Sequence, residues 1–321
     1  MVRRVFLIGG VLLCILTVLP LRGLAAEKLS FGSPSKGALY GLPLLAAEEK
    51  GFWKKNGLEG KWIAFRSTTD VTKSIAAGAV DMGYGVMIMM IRAASRGIPL
   101  VAVAATSRMD YFIWVNSDSL ILKPEHLKGT TFGSSRRGGT FEVFARTAFR
   151  GLGVEKDITF ISTGGHGAFA AAMKTGKIQS VMLQPVDAIP LMLKGELRPL
   201  VSVVQFFPKD RVDNIIMLTR PLADKKPEFV RGGVRSILQS QAFIRQDKPW
   251  AQKQLVDVFR YTPKAAAMVF ELLIERISSI DPKINRKDVE NTINFFVENK
   301  FIDKTWKIPP IDKLFTNRFT E

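Results

Sequence analysis

The densest group of residues able to hold a ligand is Gly133-Ser134-Ser135-Arg136-Arg137-Gly138-Gly139-Thr140. Glycine lets backbone approach a bound molecule closely, and a guanidinium can offer paired N–H donors to a carboxylate, sulfonate or phosphate. Arg136 or Arg137 is therefore a candidate oxyanion partner, with Ser134, Ser135 and Thr140 as neutral donors. The octet is not a Walker loop, because no Gly-Lys-Ser/Thr closes it. Read as plain structure, it is a solvated turn whose arginines point to water.

Comparable loops lie elsewhere: Ser33 to Gly37 (with Ser35 and Lys36), Ser67 to Asp70, Gly85 to Met87, Thr163 to Gly167, and Gln184 to Asp187. Each follows an apolar run and precedes a helical pattern. In open α/β sheets ligands sit at the carboxyl ends of strands, where helix N-termini present free N–H groups. Thr68 and Thr69 suit either a helix cap or a ligand contact. Gln184 stands at a strand end. Tyr40, Tyr84 and Trp114 could stack on a flat ligand or pack in a core. His166 is one of 2 histidines, and without a second His or Cys nearby it is a turn or pocket residue, not a metal ligand. No Ser/His/Asp spacing, histidine pair or suggestive carboxylate pair stands out. The expectation is thus a binder and not an enzyme, with no catalytic residue, metal or cofactor. A cationic ligand would need acids, and these loops offer Asp70 and Asp187.

The elements that position these loops alternate strand and helix. Strands are expected at 29–32, 61–65, 80–84, 100–105 and 111–115, with helices at 39–50, 70–78 and 87–95. The pattern then restarts, with strands at 131–133, 157–161 and 180–183 and helices at 140–149 and 168–174. Gly176-Lys177-Ile178-Gln179-Ser180-Val181-Met182 echoes Gly78-Ala79-Val80-Asp81-Met82-Gly83. Such alternation reads as α/β with mostly parallel strands, and two similar halves imply two lobes around a cleft. Four amphipathic helices follow at 226–244, 251–259, 265–277 and 286–299.

Compartment and charge narrow the function. Arg3 and Arg4, an uncharged run from Val5 to Leu21 and the small residues Gly23, Ala25 and Ala26 form the pattern of a secretory signal peptide over residues 1–26. Cleavage is expected after Ala25 or Ala26 and the mature chain in the periplasm; an uncleaved membrane anchor is the weaker reading, since Gly9, Gly10 and Pro20 disfavour a spanning helix. The single cysteine, Cys14, falls inside that segment, so a disulfide framework and thiolate chemistry are excluded from the mature chain. The formal net charge is +17. The basic residues are scattered, however, with no long arm and no nucleic-acid motif, so no nucleic-acid partner is expected.

Four segments in order resemble the periplasmic solute-binding proteins of ABC importers, in the branch that binds sulfonates, nitrate and thiamine precursors. They are Leu45 to Leu58 (with Gly51-Phe52-Trp53 and Gly57-Leu58), Gly78-Ala79-Val80-Asp81-Met82-Gly83, the segment from Asp118 to Phe132, and Leu127-Lys128-Gly129 within it. The resemblance implies a two-lobed type II periplasmic-binding-protein fold with two crossing strands as hinge. Lobe one would comprise residues 27–119 and 207–321, and lobe two residues 120–206. It further implies a monomer that closes on a small molecule and delivers it to an ABC permease in the membrane. Arg136-Arg137 and the hydroxyl-rich loops favour a small organic anion, a sulfonate or carboxylate. The alternatives are thiamine-precursor (pyrimidine) binding or synthesis, and ligand sensing for a membrane partner. The synthesising relatives look to depend on a cysteine-rich segment that is missing here. The expected ligand contacts are Ser35, Lys36, Gly37, Tyr40, Thr68, Thr69, Gly85, Ser134, Ser135, Arg136, Arg137, Thr140, His166 and Gln184.

Overall fold

The structure is a computed structural model that describes residues 26–320 except 165–167, 279 and 304. The signal-peptide segment and His166 therefore lie outside the described residues. Among those described, no helix is long and apolar enough to cross a membrane.

Among the described residues, ten strands form two five-stranded sheets. The first half runs β1 (Glu27–Ser33), α1 (Ala38–Glu49), α2 (Phe52–Lys55), β2 (Leu58–Ala64), α3 (Thr68–Ala76), β3 (Met82–Val86), α4 (Met87–Ala94) and β4 (Leu100–Ser107). The chain then crosses to β5 (Phe112–Asn116), β6 (Thr131–Ser134), α5 (Thr140–Gly151), β7 (Thr159–Ser162), α6 (Phe169–Lys174), β8 (Ser180–Leu183), α7 (Pro185–Leu193) and β9 (Leu197–Ser202). It returns in β10 (Asn214–Thr219), followed by α8 (Arg220–Lys225), α9 (Pro227–Gln246), α10 (Lys248–Asp257), α11 (Pro263–Ser278), α12 (Arg286–Glu298) and α13 (Ile311–Leu314).

The internal repeat is visible in the topology. Sheet order is β2-β1-β3-β10-β4 in one lobe and β7-β6-β8-β5-β9 in the other, so three parallel strands in matching order open each sheet. The echoed glycines close the equivalent helices. Gly78 after α3 and Gly176 after α6 have φ of 72° and 68°, a left-handed turn that glycine adopts without Cβ penalty.

The strands run mostly parallel, as expected, but one strand in each sheet is reversed, so both sheets are mixed. β10 runs antiparallel to β3 and β4, and β5 runs antiparallel to β8 and β9. Each of these strands enters its sheet from the opposite lobe. An apolar strand segment encodes its burial but not its direction, which follows from where the chain has come from. The same holds for sheet membership, since β5, a strand within residues 27–119, bonds to β8 and β9 of the second sheet.

The two crossings are fastened by one buried carboxylate. Asp213, just before β10, accepts the Met109 N–H at 2.9 Å and Arg211 Nε at 2.7 Å. Its side chain is 2% exposed and that of Arg211 8%. Burial pushes the Asp213 carboxyl above its usual range, against the pull of Arg211 and the Met109 N–H. Next to it, Asn214 Nδ2 donates to Ser107 Oγ at 2.9 Å, and its Oδ1 accepts Tyr40 OH at 3.2 Å. Beside the crossings, Phe144 of α5 packs edge-on against Phe207 (centroids 4.9 Å) and stacks with Phe296 of α12 (5.8 Å). Removing one member of a buried ion pair strands the other charge, which typically costs about 3–5 kcal/mol. Asp213→Asn is accordingly expected to lower the unfolding free energy by about that amount, measured by urea denaturation; a loss under about 1 kcal/mol would show that Arg211 finds another partner.

Candidate functional site

Loops from both sheets converge at the carboxyl ends of the parallel strands, where β1, β2, β6 and β8 stop. A small inner cavity of about 20 Å3 lies there, lined by Ser35, Tyr40, Ser67, Thr68, Tyr111, Ser135, Thr140, Phe141, Gln184 and Asp187 with Pro34. That is room for one water, so a larger guest requires the lobes to part. A larger cavity of about 570 Å3 adjoins it through the shared Pro34, Ser35 and Asp187 and adds Lys36, Gly37, Arg66, Gly164 and Phe169.

The local sequence explains the loops. Ser33 ends β1; its hydroxyl accepts Trp62 Nε1–H at 2.7 Å and donates to the Ser35 carbonyl at 2.7 Å. Ser35 Oγ then accepts the Gly37 N–H at 3.1 Å, which folds the chain into the start of α1. Ser67 caps α3, accepting the Asp70 N–H at 3.2 Å, so it is Ser67 rather than Thr68 or Thr69 that fills the cap position. Gln184 precedes α7 and its Nε2 donates to Tyr111 OH at 2.9 Å. Tyr111 meets Phe141 edge-on at 5.5 Å.

Two features set the electrostatics of this cleft. No lysine or arginine lines the inner cavity among the described residues, whereas Asp187 does. Its Oδ1 would lie 2.7 Å from a Cβ built on Gly37, so a carboxylate of one lobe faces the N-terminal end of α1 in the other. A helix N-terminus favours negative charge, and here the protein's own carboxylate supplies it. Burial first, and then the charge of Asp187, pushes the Tyr261 phenol up. The second feature is Thr140 Oγ1, buried without a hydrogen-bond partner at the N-terminus of α5. A buried hydroxyl without a partner costs free energy, which a ligand would recover.

The sequence-nominated residues divide into groups. Ser35, Tyr40, Thr68, Ser135, Thr140 and Gln184 line the inner cavity, and Lys36 and Gly37 line the outer one. Ser134 is buried beneath, its hydroxyl 3.4 Å from the Ile161 carbonyl. Gly85 lies inside β3, where a Cβ would meet Met217 Sδ at 2.6 Å. Thr69, Arg136 and Arg137 line a separate cavity, and Arg136 spans the lobes to Asp70 at 2.6 Å. Tyr84 and Trp114 are core residues; Trp114 Nε1 donates to the Leu183 carbonyl at 3.1 Å. Tyr111 and Phe141 are the aromatic walls that sequence reasoning assigns to a strand and a helix. Their only local signal is that Tyr111 starts the segment that crosses between sheets.

These features define an α/β chain with the periplasmic-binding-protein fold. The alkanesulfonate-binding protein SsuA of Xanthomonas axonopodis pv. citri superposes with a TM-score of 0.75 at 17% identity, covering 91% of this chain and 98% of that one. The nitrate-binding protein NrtA of Synechocystis PCC 6803 gives 0.68 at 14% identity, covering 91% and 86%. Residues 39–249 match the family described as NMT1/THI5 like, and the chain belongs to that family. A relative from Saccharomyces cerevisiae, 4-amino-5-hydroxymethyl-2-methylpyrimidine phosphate synthase THI12, is 24% identical over 252 residues, 73% of this chain and 72% of its own.

That relative, like its counterpart from Aspergillus parasiticus, bears the name of an enzyme, which overturns the expectation that this chain is not one. The expectation leaned on missing sequence spacings. The cleft is assembled from Ser35, Thr68, Tyr111, Thr140 and Asp187, residues far apart along the chain, so sequence spacing is no guide to its chemistry.

Thr140→Val keeps the shape of the side chain while deleting the unpartnered hydroxyl. The unfolding free energy is expected to rise by about 1 kcal/mol in urea denaturation; a fall of that size would reveal a hydrogen bond that Thr140 makes within the folded chain.

Proposed function

We propose that the interlobe cleft captures a 4-aminopyrimidine of the kind named for the family's synthases, and that the chain, exported by its leader segment, presents this solute to an ABC permease. The observation that carries the reading is the charge of the inner cavity. A carboxylate, Asp187, sits among Tyr40, Tyr111, Phe141, Gln184 and hydroxyls, with no lysine or arginine in the lining among the described residues. Aromatic walls suit a flat ring, Gln184 and the hydroxyls suit ring nitrogens, and a carboxylate suits an exocyclic amine. Lobe closure would bury the ring and exclude water. Capture and synthesis both need a cleft that fits this pyrimidine, as a solute in one case and as a product in the other, and the synthase name supports that ligand class for both.

A second reading, a small organic anion such as a sulfonate or carboxylate, is favoured by Lys36 and Arg66 in the outer cavity. The same two cations suit the phosphate of a phosphorylated pyrimidine, so the two readings differ in what fills the inner cavity.

Thermal unfolding with 4-amino-5-hydroxymethyl-2-methylpyrimidine, its phosphate, an alkanesulfonate and nitrate separates them. The pyrimidine at a hundred times its dissociation constant is expected to add about 2.7 kcal/mol of stability. Asp187→Asn should weaken that binding at least about tenfold, the loss of one charge-assisted hydrogen bond. Stabilisation by the sulfonate alone, unaffected by Asp187→Asn, would overturn the pyrimidine reading in favour of the anion.

A further inference from the structure

A cavity of about 800 Å3 lies beside the Arg136–Asp70 bridge and shares no lining residue with the inner cleft. Both lobes build it: Thr69, Thr72 and Lys73 of α3, Arg92 of α4 with Arg96 just beyond, and the turn from Arg136 to Gly138. Five of its residues are cations, namely Lys73, Arg92, Arg96, Arg136 and Arg137, and no carboxylate lines it among the described residues. The groove past Arg92 and Arg96 adds Lys300, with Asp303 as its acid.

Like charges gathered in one hollow repel each other unless acids offset them. The neighbouring acids are largely committed. Asp70 pairs with Arg136 at 2.6 Å and accepts the Ser67 hydroxyl at 2.9 Å, and Glu142 is bound by Arg146 Nε at 2.9 Å and by the Gly138 N–H at 3.0 Å. Arg96 lies over the Trp306 ring, 4.9 Å from its centroid. Arg92 is the telling residue. Its Nη1 donates across the lobes to the Gly138 carbonyl at 3.1 Å, yet its Nε is buried with no acceptor. Burial first, then the charge of Arg96, lowers the Arg92 pKa. Such a cluster is favourable once an anion with several oxygens enters it.

We propose that this cavity binds the phosphate group of a phosphorylated ligand. Guanidinium forks match the oxygens of a phosphate, and several cations call for more than one negative charge. Ala76, Ala77, Met89, Ala93 and Ile98 supply an apolar wall for the organic remainder. Because Arg92 meets Gly138 across the lobe boundary, the phosphate is held by both lobes at once. The site does not depend on what the inner cleft binds.

Calorimetric titration with inorganic pyrophosphate at constant ionic strength tests the proposal, alongside sedimentation with phosphatidylcholine vesicles containing phosphatidic acid. The parent protein is expected to bind pyrophosphate. The double variant Arg96→Gln/Arg137→Gln, both exposed positions, should bind at least about tenfold more weakly. Lys73→Gln, also exposed, gives the same direction independently should the double variant misfold. Lys54→Gln/Lys264→Gln removes the same charge elsewhere and should keep the parent affinity. Vesicle binding without pyrophosphate binding, lost in the same cavity variants, would support the site with a lipid headgroup as its phosphate source. Binding of neither probe, unchanged affinity in the cavity variants, or an equal loss in the remote pair would overturn it.

Discussion

The fold depends on the chain passing twice between two sheets, and Asp213 is the tie that holds both passages. Its carboxylate joins Met109 on the outgoing crossing to Arg211 on the returning one, out of contact with water. A buried charge pair of this kind adds little net stability but penalises every arrangement that separates it. Asn214, the next residue, bonds Ser107 at the end of β4 and receives the Tyr40 hydroxyl. Tyr40 also lines the cleft, so an aromatic wall of the site is hydrogen-bonded to the hinge itself.

Helix N-termini explain why the cleft reads differently from its sequence. The sequence nominates six strand-end loops as places for an anion, and at the α1 terminus that place is faced by the protein's own Asp187 from the opposite lobe. The inner cavity is therefore lined by a carboxylate. The arginines that the sequence offers for an anion line a separate cavity instead, where Arg136 bridges to Asp70. The molecule thereby separates a carboxylate-bearing aromatic slot from a basic hollow a few loops away.

Periodicity and capping made the elements legible. The helix expected at 39–50 forms as Ala38–Glu49, and that expected at 286–299 as Arg286–Glu298, because their apolar spacing and end signals are local. The echoed glycines could be read for the same reason, as each closes a helix through its own φ. Six nominated residues line the inner cavity, since loops at strand ends of an α/β sheet converge whatever their composition. Tyr111 and Phe141 escaped notice because an aromatic residue in a strand or helix reads as core from its neighbours alone.

The sequence by itself determined the alternation of strands and helices, the duplication of the half-fold and the loops from which a site could be built. These rest on interactions within a few residues of each other. Only the tertiary structure decided that β5 and β10 run antiparallel in sheets of the opposite lobe. It alone brought Asp187 against Gly37, parted Arg137 from Thr140, and left Arg92 Nε buried without an acceptor. These placements depend on residues distant in the chain, as Asp187 and Gly37 are, and no local pattern encodes them; they follow from how two lobes close on each other.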